Sequence, residues 1–424
     1  MASRGHHLLT AGRGFSAGLG LGGRLAAPMF ARLINRLDSR LQHGGIHARL
    51  PDGELRQIGF HQPGPAPEVE LVSWMALVRL ALSGSVGWYE AWALGEWRSP
   101  DPVPLFELFT RNALSLGETA RAKGPARWLG RIGHALRDNR PTQARRNIAA
   151  HYDLGNDFYA AWLDPTMTYS SALFPPAERG SDGVSLEQAQ RNKIDALLNR
   201  LDLKPGDRLL EIGCGWGSLA IEAARRGARV VGLTLSTQQK EWADRKVAEA
   251  GLSDQVEIRL QDYRQIDERF DAIASVEMVE AVGRRWWPAY FDCIARNLKP
   301  GGRAALQYIH IDHRLFAAYS RGADFIQAYI FPGGMLVDEP AFQSLAEQRG
   351  LGWSDRRRFG RDYAQTLRLW RGRYDSAVAE GRLVGFDEAF HNLWRYYLMY
   401  CEGGFRGGAI DVAQVSLMKG SKHG

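Results

Sequence analysis

The sequence predicts an α/β protein: a mostly parallel sheet with helices on both faces, preceded by a smaller aromatic-rich α+β unit. Three observations carry that expectation. Apolar strand-like runs alternate with helix-like stretches from residue 186 onward, and a glycine-broken turn, LLEIGCGWGSLAIEAARRG over 209–227, follows the first of those runs. The third is the Trp-rich segment GWYEAWALGEWRSPDPVPLFELF, which stands apart in the N-terminal part. With 424 residues, 45% of them hydrophobic, the chain is long enough for two or three domains and a sizeable core.

Taken in order, residues 1–30 read as a flexible basic arm. The first acidic residue is Asp38, and Arg4, Arg13, Arg24, Arg32 and Arg36 precede it. That composition has the look of a transit peptide, and a basic arm ahead of a bacterial domain accounts for it at least as well. Residues 31–112 form the first unit, in which Trp88, Trp92 and Trp97 are read as core because aromatics in a small domain fill volume. Over 113–146 the character changes. Trp128, Leu129, Ile132 and Leu136 recur at helical spacing among Arg127, Arg131, Arg137, Arg145 and Arg146. This is either a membrane-surface helix or a solvated linker helix.

In the α/β part the strands are expected near 208–212, 229–233, 256–260, 270–275 and 302–309, with helices near 218–226, 236–250 and 286–298. After Ile309 the rhythm breaks. Residues 311–350 read as an inserted helical and loop segment, placed to cover a substrate, and IDVAQVSLM at 410–418 returns to strand.

Bulk properties narrow the partners. A formal charge of +7 favours anionic ones, nucleic acid or acidic headgroups, and does not separate the two. Cys214, Cys293 and Cys401 are too few and too scattered for a disulfide framework or a zinc cluster, which suits a reducing interior. No apolar run reaches membrane-spanning length, so an integral protein is not expected, while a peripheral one is allowed.

The glycine turn admits three ligands. A dinucleotide fingerprint wants G-x-G-x-x-G with an acid ending the next strand; here G-C-G-W-G is followed by VVGLTLS, so a nicotinamide cofactor is the weaker choice. A Walker loop needs Gly-Lys-Ser/Thr, which is absent after Gly217. S-adenosylmethionine remains, its methionine end against Gly213, Gly215 and Gly217, with Glu211 opening the motif. Such a motif is short, so its surroundings must decide.

They do so together. AAHYDLGNDFYAAWLDPTMTYSSALF, LLEIGCGWG, GLTLSTQQ, LQDYR, VEMVEAVG, LKPGG, RDYAQTL and YYLMYCEGGFR occur in this order. From about Asn147 to the C-terminus the chain resembles the cyclopropane-fatty-acyl-phospholipid synthases and the mycolic acid cyclopropane synthases. The resemblance implies a class I S-adenosylmethionine-dependent methyltransferase fold with a seven-stranded sheet over 147–424, an acyl-pocket insertion over 311–362, and a lipid-handling domain over 31–112. It implies methyl transfer to the cis double bond of an unsaturated phospholipid acyl chain at an anionic membrane surface, by a cytoplasmic, peripherally attached protein without a nucleic-acid partner. The N-terminal unit offers a homodimer contact.

By the same resemblance Tyr169 and Ser170 touch the cofactor from a lid segment, and Thr234, Leu235, Gln239, Gln261 and Asp262 surround its ribose and adenine. The family holds a bicarbonate ion as a base. Glu280 matches its cage carboxylate, Tyr363 its hydroxyl donor, Ile309 a backbone-amide donor and Cys401 a nearby cysteine. Two positions depart: Ser171 stands where the synthases have Cys, and Gln307 where they have His. An amide N–H at 307 can still hydrogen-bond an anion, which leaves open whether bicarbonate still binds, weakened or reoriented. His310 lies on the opposite face of an ideal strand from Gln307 and replaces it only if the strand has ended.

The chemistry needs a dry pocket and a base that takes one proton after transfer. A proton from the new methyl closes a ring; one from a neighbouring carbon leaves a methyl-branched or methylene product. The two departures make methyl transfer a firmer expectation than ring closure. Rival readings are a small-molecule methyltransferase and a lipid-binding homologue with altered catalysis. An amino-methylating nucleic-acid enzyme is disfavoured, because SVEMVEAVG stands where its Asp/Asn-Pro-Pro-aromatic motif belongs.

Overall fold

A computed structural model describes residues 4–11, 27–117, 154–176 and 183–420. Most of the predicted arm and the basic segment carrying Trp128 and Arg127 to Arg146 lie outside the described residues. The chain divides into two compact units.

The first unit joins the N-terminal part of the chain to Asp312–Pro332 and Val384–Ile410. Both returning segments fall inside the span 147–424 that the sequence assigns to the catalytic domain. Within the predicted arm, His6–Ala11 forms a short helix. A four-stranded sheet follows in the order β2-β1-β3-β4, with β1 Gly45–Arg49, β2 Leu55–Gly59, β3 Glu68–Leu71 and β4 Trp97–Arg98. Trp97 is fully buried and stacks on Trp88, ring centroids 4.5 Å apart, while its indole N–H donates to the Trp88 carbonyl at 2.9 Å. These tryptophans are core, as composition suggests.

Packing chemistry explains why the late segments join this unit. Helix Glu388–Gly407 buries Phe390, Leu393, Trp394, Tyr396 and Tyr397, an apolar load that needs partners. Tyr396 lies 5.0 Å from Tyr89, 5.2 Å from Phe106 and 4.8 Å from Phe325 between ring centroids. Gly403 and Gly407, one turn apart, let this helix meet helix Val103–Arg111 backbone to backbone. A Cβ at Gly403 would lie 2.4 Å from Phe106 Cβ, and one at Gly407 would lie 2.7 Å from the Glu107 carbonyl. Gly403→Leu is therefore expected to cost about 1–3 kcal/mol by overpacking, lowering Tm by about 4–10 °C. Scanning calorimetry checks this, and an unchanged Tm would mean the two helices do not pack this way.

The second unit carries a seven-stranded sheet in the order β10-β11-β9-β8-β5-β6-β7. Its strands are β5 Arg208–Ile212, β6 Arg229–Thr234, β7 Val256–Leu260, β8 Phe270–Val276, β9 Leu298–Ile311, β10 Leu351–Arg358 and β11 Ile410–Lys419. The pairs β5–β6, β6–β7, β5–β8 and β8–β9 are parallel, and β10–β11 is antiparallel. Continuous apolar runs such as LLEI are buried because helices cover both faces of a parallel sheet. Helix Ser218–Arg225 contributes Leu219, Ala220, Ala223 and Ala224 to that core, against Leu209, Val230 and Ala272. Ser185 and Ser236 cap the helices Leu186–Leu201 and Thr237–Glu249 by accepting from the Gln188 and Gln239 amides.

The five strands predicted over 208–309 are all present, and β9 continues to Ile311. Strand β10 is the addition. Its SDRRR segment is largely exposed, as suits an edge strand, and carries no apolar alternation to betray it.

Candidate active site

The sheet's order reverses beside β5: the chain runs from β5 through β6 to β7 on one side, then crosses to β8 and β9 on the other. Ligands of open α/β sheets bind outside the carboxyl ends of strands at such a switch point. The glycine turn leaves the end of β5 here, and the VEMVEAVG segment leaves the end of β8.

Gly213, Gly215 and Gly217 all take positive φ, at 84°, 53° and 91°. Their neighbours differ. A Cβ on Gly213 would sit 2.7 Å from Met278 Cγ, and one on Gly217 would sit 3.0 Å from Ala243 Cβ, so both are hemmed in by the protein. Around Gly215 there is nothing within 4 Å of that position, an opening in the cradle. Glu211 is buried just before the turn, one carboxylate oxygen has no hydrogen-bond partner, and burial raises its pKa to about 8. An open cradle beside an orphaned buried carboxyl fits a ligand with a polar, cationic end.

The other predicted cofactor residues surround the same strand ends. Thr234 ends β6, and its hydroxyl donates to Gln239 Oε1 at 2.8 Å. Leu235 follows it, half-buried. The Gln261 amide donates to the Thr234 carbonyl at 3.1 Å, and Asp262 caps the short turn Tyr263–Gln265 while pairing with Arg264 at 2.6 Å. Tyr169 packs its ring against Tyr159, Trp162 and Trp370, and Ser170 accepts a 2.6 Å hydrogen bond from the buried Lys193 ammonium. Burial pulls the Lys193 pKa down to about 8, against the pull of nearby Glu277.

Ser171, Gln307 and Tyr363 are brought together around a residue that the sequence reading missed, Glu277. Tyr363 Oη donates to Glu277 Oε2 at 2.7 Å, Gln307 Nε2 donates to Glu277 Oε1 at 2.7 Å, and the Ser171 backbone N–H donates to Oε1 at 2.9 Å. Three donors assigned to an added ion converge instead on a side-chain carboxylate. The backbone amide, not the Ser171 hydroxyl, faces it, since that hydroxyl donates to the Ala172 carbonyl. Gln414 Nε2 donates to Gln307 Oε1 at 3.0 Å, which turns the Gln307 amide so that its N–H points at Glu277. Glu277 has φ 47°, a left-handed backbone that disfavours side chains and recurs at functional positions.

Glu280 behaves differently. Its Oε1 accepts from the Ile309 amide, while its buried Oε2 has no partner. Burial, then the Glu277 charge, push its pKa up to about 8. Burial also raises the Glu277 pKa, but its three donors and Lys193 favour the ionised form. Like charges held close disfavour each other's ionised form; the hydrogen-bond donors gather on Glu277, while Glu280 is left with one oxygen unpartnered.

Cys401 lies on helix Glu388–Gly407 of the first unit, where burial followed by the Asp324 charge pushes its thiol pKa up. His310 is still within β9, and its neighbouring charges are Glu339 and Asp411, so it does not replace Gln307.

The raised carboxyls set a pH dependence. Folded Glu211 and Glu280 hold their protons to about pH 8, against an ordinary 4.5. Their stabilising contribution is full below pH 4.5 and lost as pH rises through about 8. Lys193, held at about 8 instead of 10.5, acts oppositely above that range. Tm is expected to fall between about pH 5 and 8, and Glu280→Gln and Glu211→Gln each to flatten the slope. Equal slopes in wild type and both variants would show these carboxyls to be ionised.

The family described as mycolic acid cyclopropane synthetase matches residues 139–415. The chain belongs to that family. It is 42% identical over 348 residues to a tuberculostearic acid methyltransferase of Mycobacterium tuberculosis, covering 80% of each chain. It is 33% identical over 387 residues to the cyclopropane-fatty-acyl-phospholipid synthase of Escherichia coli, covering 89% of this chain and 94% of that one. A solved mycolic acid cyclopropane synthase complexed with SAH and CTAB superimposes with a TM-score of 0.60 at 33% identity, covering 65% of this chain and 98% of that one. The chain is thus an S-adenosylmethionine-dependent methyltransferase of fatty acyl chains, and its relatives are named both for cyclopropanation and for methylation. Among the described residues no helix is long and apolar enough to cross a membrane.

Proposed function

We propose that this member of the mycolic acid cyclopropane synthetase family methylates the cis double bond of an unsaturated acyl chain carried by a membrane phospholipid. The product is a cyclopropane or a methyl-branched or methylene chain. The observation that carries this reading is the buried pair Glu277 and Glu280 at the end of β8 beside the glycine turn, with three donors on Glu277 and an unpartnered oxygen on Glu280. An alkene is a weak nucleophile and gives a cation on methylation, so the site must exclude water, tolerate positive charge and remove one proton.

Gly213, Gly215 and Gly217 would hold the methionine end of S-adenosylmethionine, Glu211 lies beneath that turn, and Thr234, Leu235, Gln239, Gln261 and Asp262 lie where ribose and adenine would bind. Tyr169 and Ser170 would close over the cofactor. Bound there, the cofactor supplies an electrophilic methyl group. Tyr169, Trp162 and Trp370 supply aromatic faces that tolerate a cation and keep water away. Protonated Glu280 adds no second negative charge next to Glu277.

The net charge of +7 and a relative named for phospholipid favour a peripheral attachment to an anionic membrane from the cytoplasmic side. The N-terminal unit would handle the lipid and could support a homodimer. The test uses methyl-labelled cofactor with vesicles of cis-monounsaturated phosphatidylglycerol. Label is expected in saponified fatty acids, and hydrogenation before mass analysis separates a ring, which survives, from a residual alkene. Label confined to water-soluble products would overturn the lipid assignment. Co-sedimentation with the same vesicles is expected to weaken as salt rises from low to about 0.5 M, since screening lengths shrink severalfold.

A further inference from the structure

We infer that Glu277 is the catalytic base of this enzyme, a side-chain carboxylate that fills the anion cage and makes a bicarbonate ion unnecessary. The inference rests on the methyl-transfer reading above. Its ground is occupancy. An anion bound by this cage needs the Ser171 backbone N–H, the Gln307 amide N–H and the Tyr363 hydroxyl; all three already donate to Glu277, at 2.9, 2.7 and 2.7 Å. Bicarbonate has no donor left among them, and it would bring a second negative charge against the first.

Three further features show a built arrangement. The Gln307 amide is held in its donating sense by Gln414, whose Oε1 in turn accepts from Arg200 Nε at 3.3 Å. Gln307 and Gln414 are both almost fully buried, so this chain of amides is insulated from competing water. Glu277 keeps its left-handed φ of 47° where a glycine would sit without strain, and the Gln307 carbonyl fixes it by accepting its backbone N–H at 2.8 Å. Met278, the next residue, packs where a Cβ on Gly213 would fall, so the base is tied directly to the cofactor turn.

The groups facing Glu277 are Lys193, Glu280, Tyr363, Gln307 and the Ser171 amide. After methylation the acyl chain carries a carbon cation. A C–H bond beside the cationic centre breaks, its proton bonds to a Glu277 oxygen, and its electron pair forms the new carbon–carbon bond. That bond closes a ring when the proton leaves the added methyl, and is a double bond when it leaves a chain carbon. The proton returns to solvent on product release, restoring the carboxylate without an oxidant or reductant.

The test measures methyl transfer to cis-monounsaturated phosphatidylglycerol vesicles in buffer stripped of carbon dioxide and again with added bicarbonate. Wild-type turnover is expected to agree within about twofold between the two, and Glu277→Gln to fall at least about 100-fold, the usual scale for losing a positioned base. Glu277→Gly relieves the left-handed strain and vacates the donors, so its residual rate is expected to rise about 10-fold on adding bicarbonate. Binding of ¹³C-bicarbonate, read by NMR line broadening, should appear in Glu277→Gly and be absent from wild type. Circular dichroism and SAH binding confirm that each variant is folded.

Wild-type turnover that collapses without bicarbonate, full activity in Glu277→Gln, saturable bicarbonate binding to wild type, or none to Glu277→Gly would each overturn the inference. Should wild type put no label into phospholipid in either buffer, the lipid reading fails by itself, and the binding arm still decides who occupies the cage.

Discussion

Tyr363→Phe is expected to lower kcat by about 10–100-fold while leaving the KM for S-adenosylmethionine within about twofold, because a hydrogen bond to a charged group is worth about 1.5–3 kcal/mol. The variant deletes one oxygen and keeps the ring, whose edge meets Trp370 with centroids 6.1 Å apart, so packing is preserved. What changes is the Glu277 carboxylate. Its Oε2 loses the 2.7 Å donor that favours ionisation and stays buried. The pKa therefore rises, and the acid limb of the pH–rate profile moves to higher pH. A purely structural tyrosine would lower kcat without moving that limb, so the profile separates the two. Ser171→Ala is the matched control: the amide at 171 makes the contact to Glu277, and activity is expected to stay within about twofold. An unmoved acid limb in Tyr363→Phe would remove Tyr363 from the base's environment.

The parallel part of the fold was legible because its strands are short apolar runs separated by helical stretches, a pattern set by burial on both sheet faces. Strand β10 was not, because an edge strand paired on one side needs no apolar alternation, and Asp355 at φ 52° interrupts its register with β11. The return of Val384–Ile410 to the first unit was also hidden. It depends on Gly403 and Gly407 meeting Val103–Arg111 across nearly three hundred residues, and glycine spacing within one helix does not name its partner.

At the site, Ser171, Gln307 and Tyr363, three positions transferred by resemblance, are brought together as hydrogen-bond donors. The side chain that accepts from them, Glu277, was not singled out. In VEMVEAVG two glutamates stand three apart, and only the second matched the family's pattern. The signal for the first was a carboxylate directly after a buried strand, at a position with no apolar periodicity to explain it. The donors at 171, 307 and 363 come from three distant stretches, so their convergence on it appears only in three dimensions.

The cofactor turn yields the sharpest remaining expectation, through a pair of glycines alike in backbone hand and in open space at the Cβ position. Gly215 and Gly251 both have positive φ, at 53° and 69°, and neither has an atom within 4 Å of where a Cβ would point. Valine at either position takes a similar left-handed penalty of about 1–2 kcal/mol. If the opening at Gly215 is where the methionine end of the cofactor approaches the backbone, Gly215→Val fills it. SAH affinity is then expected to drop at least about 100-fold, roughly 2.7 kcal/mol. Gly251→Val should bind SAH within about twofold of wild type, its substitution lying in the turn after helix Thr237–Glu249. Thermal shift reads both at once, because a ligand raises Tm only as far as it binds the folded state. Both variants should lose a few degrees without ligand, yet SAH at a fixed excess should restore Tm in Gly251→Val and not in Gly215→Val. Equal rescue of the two would move the cofactor away from the glycine turn, and with it the placing of the methyl group beside Glu277.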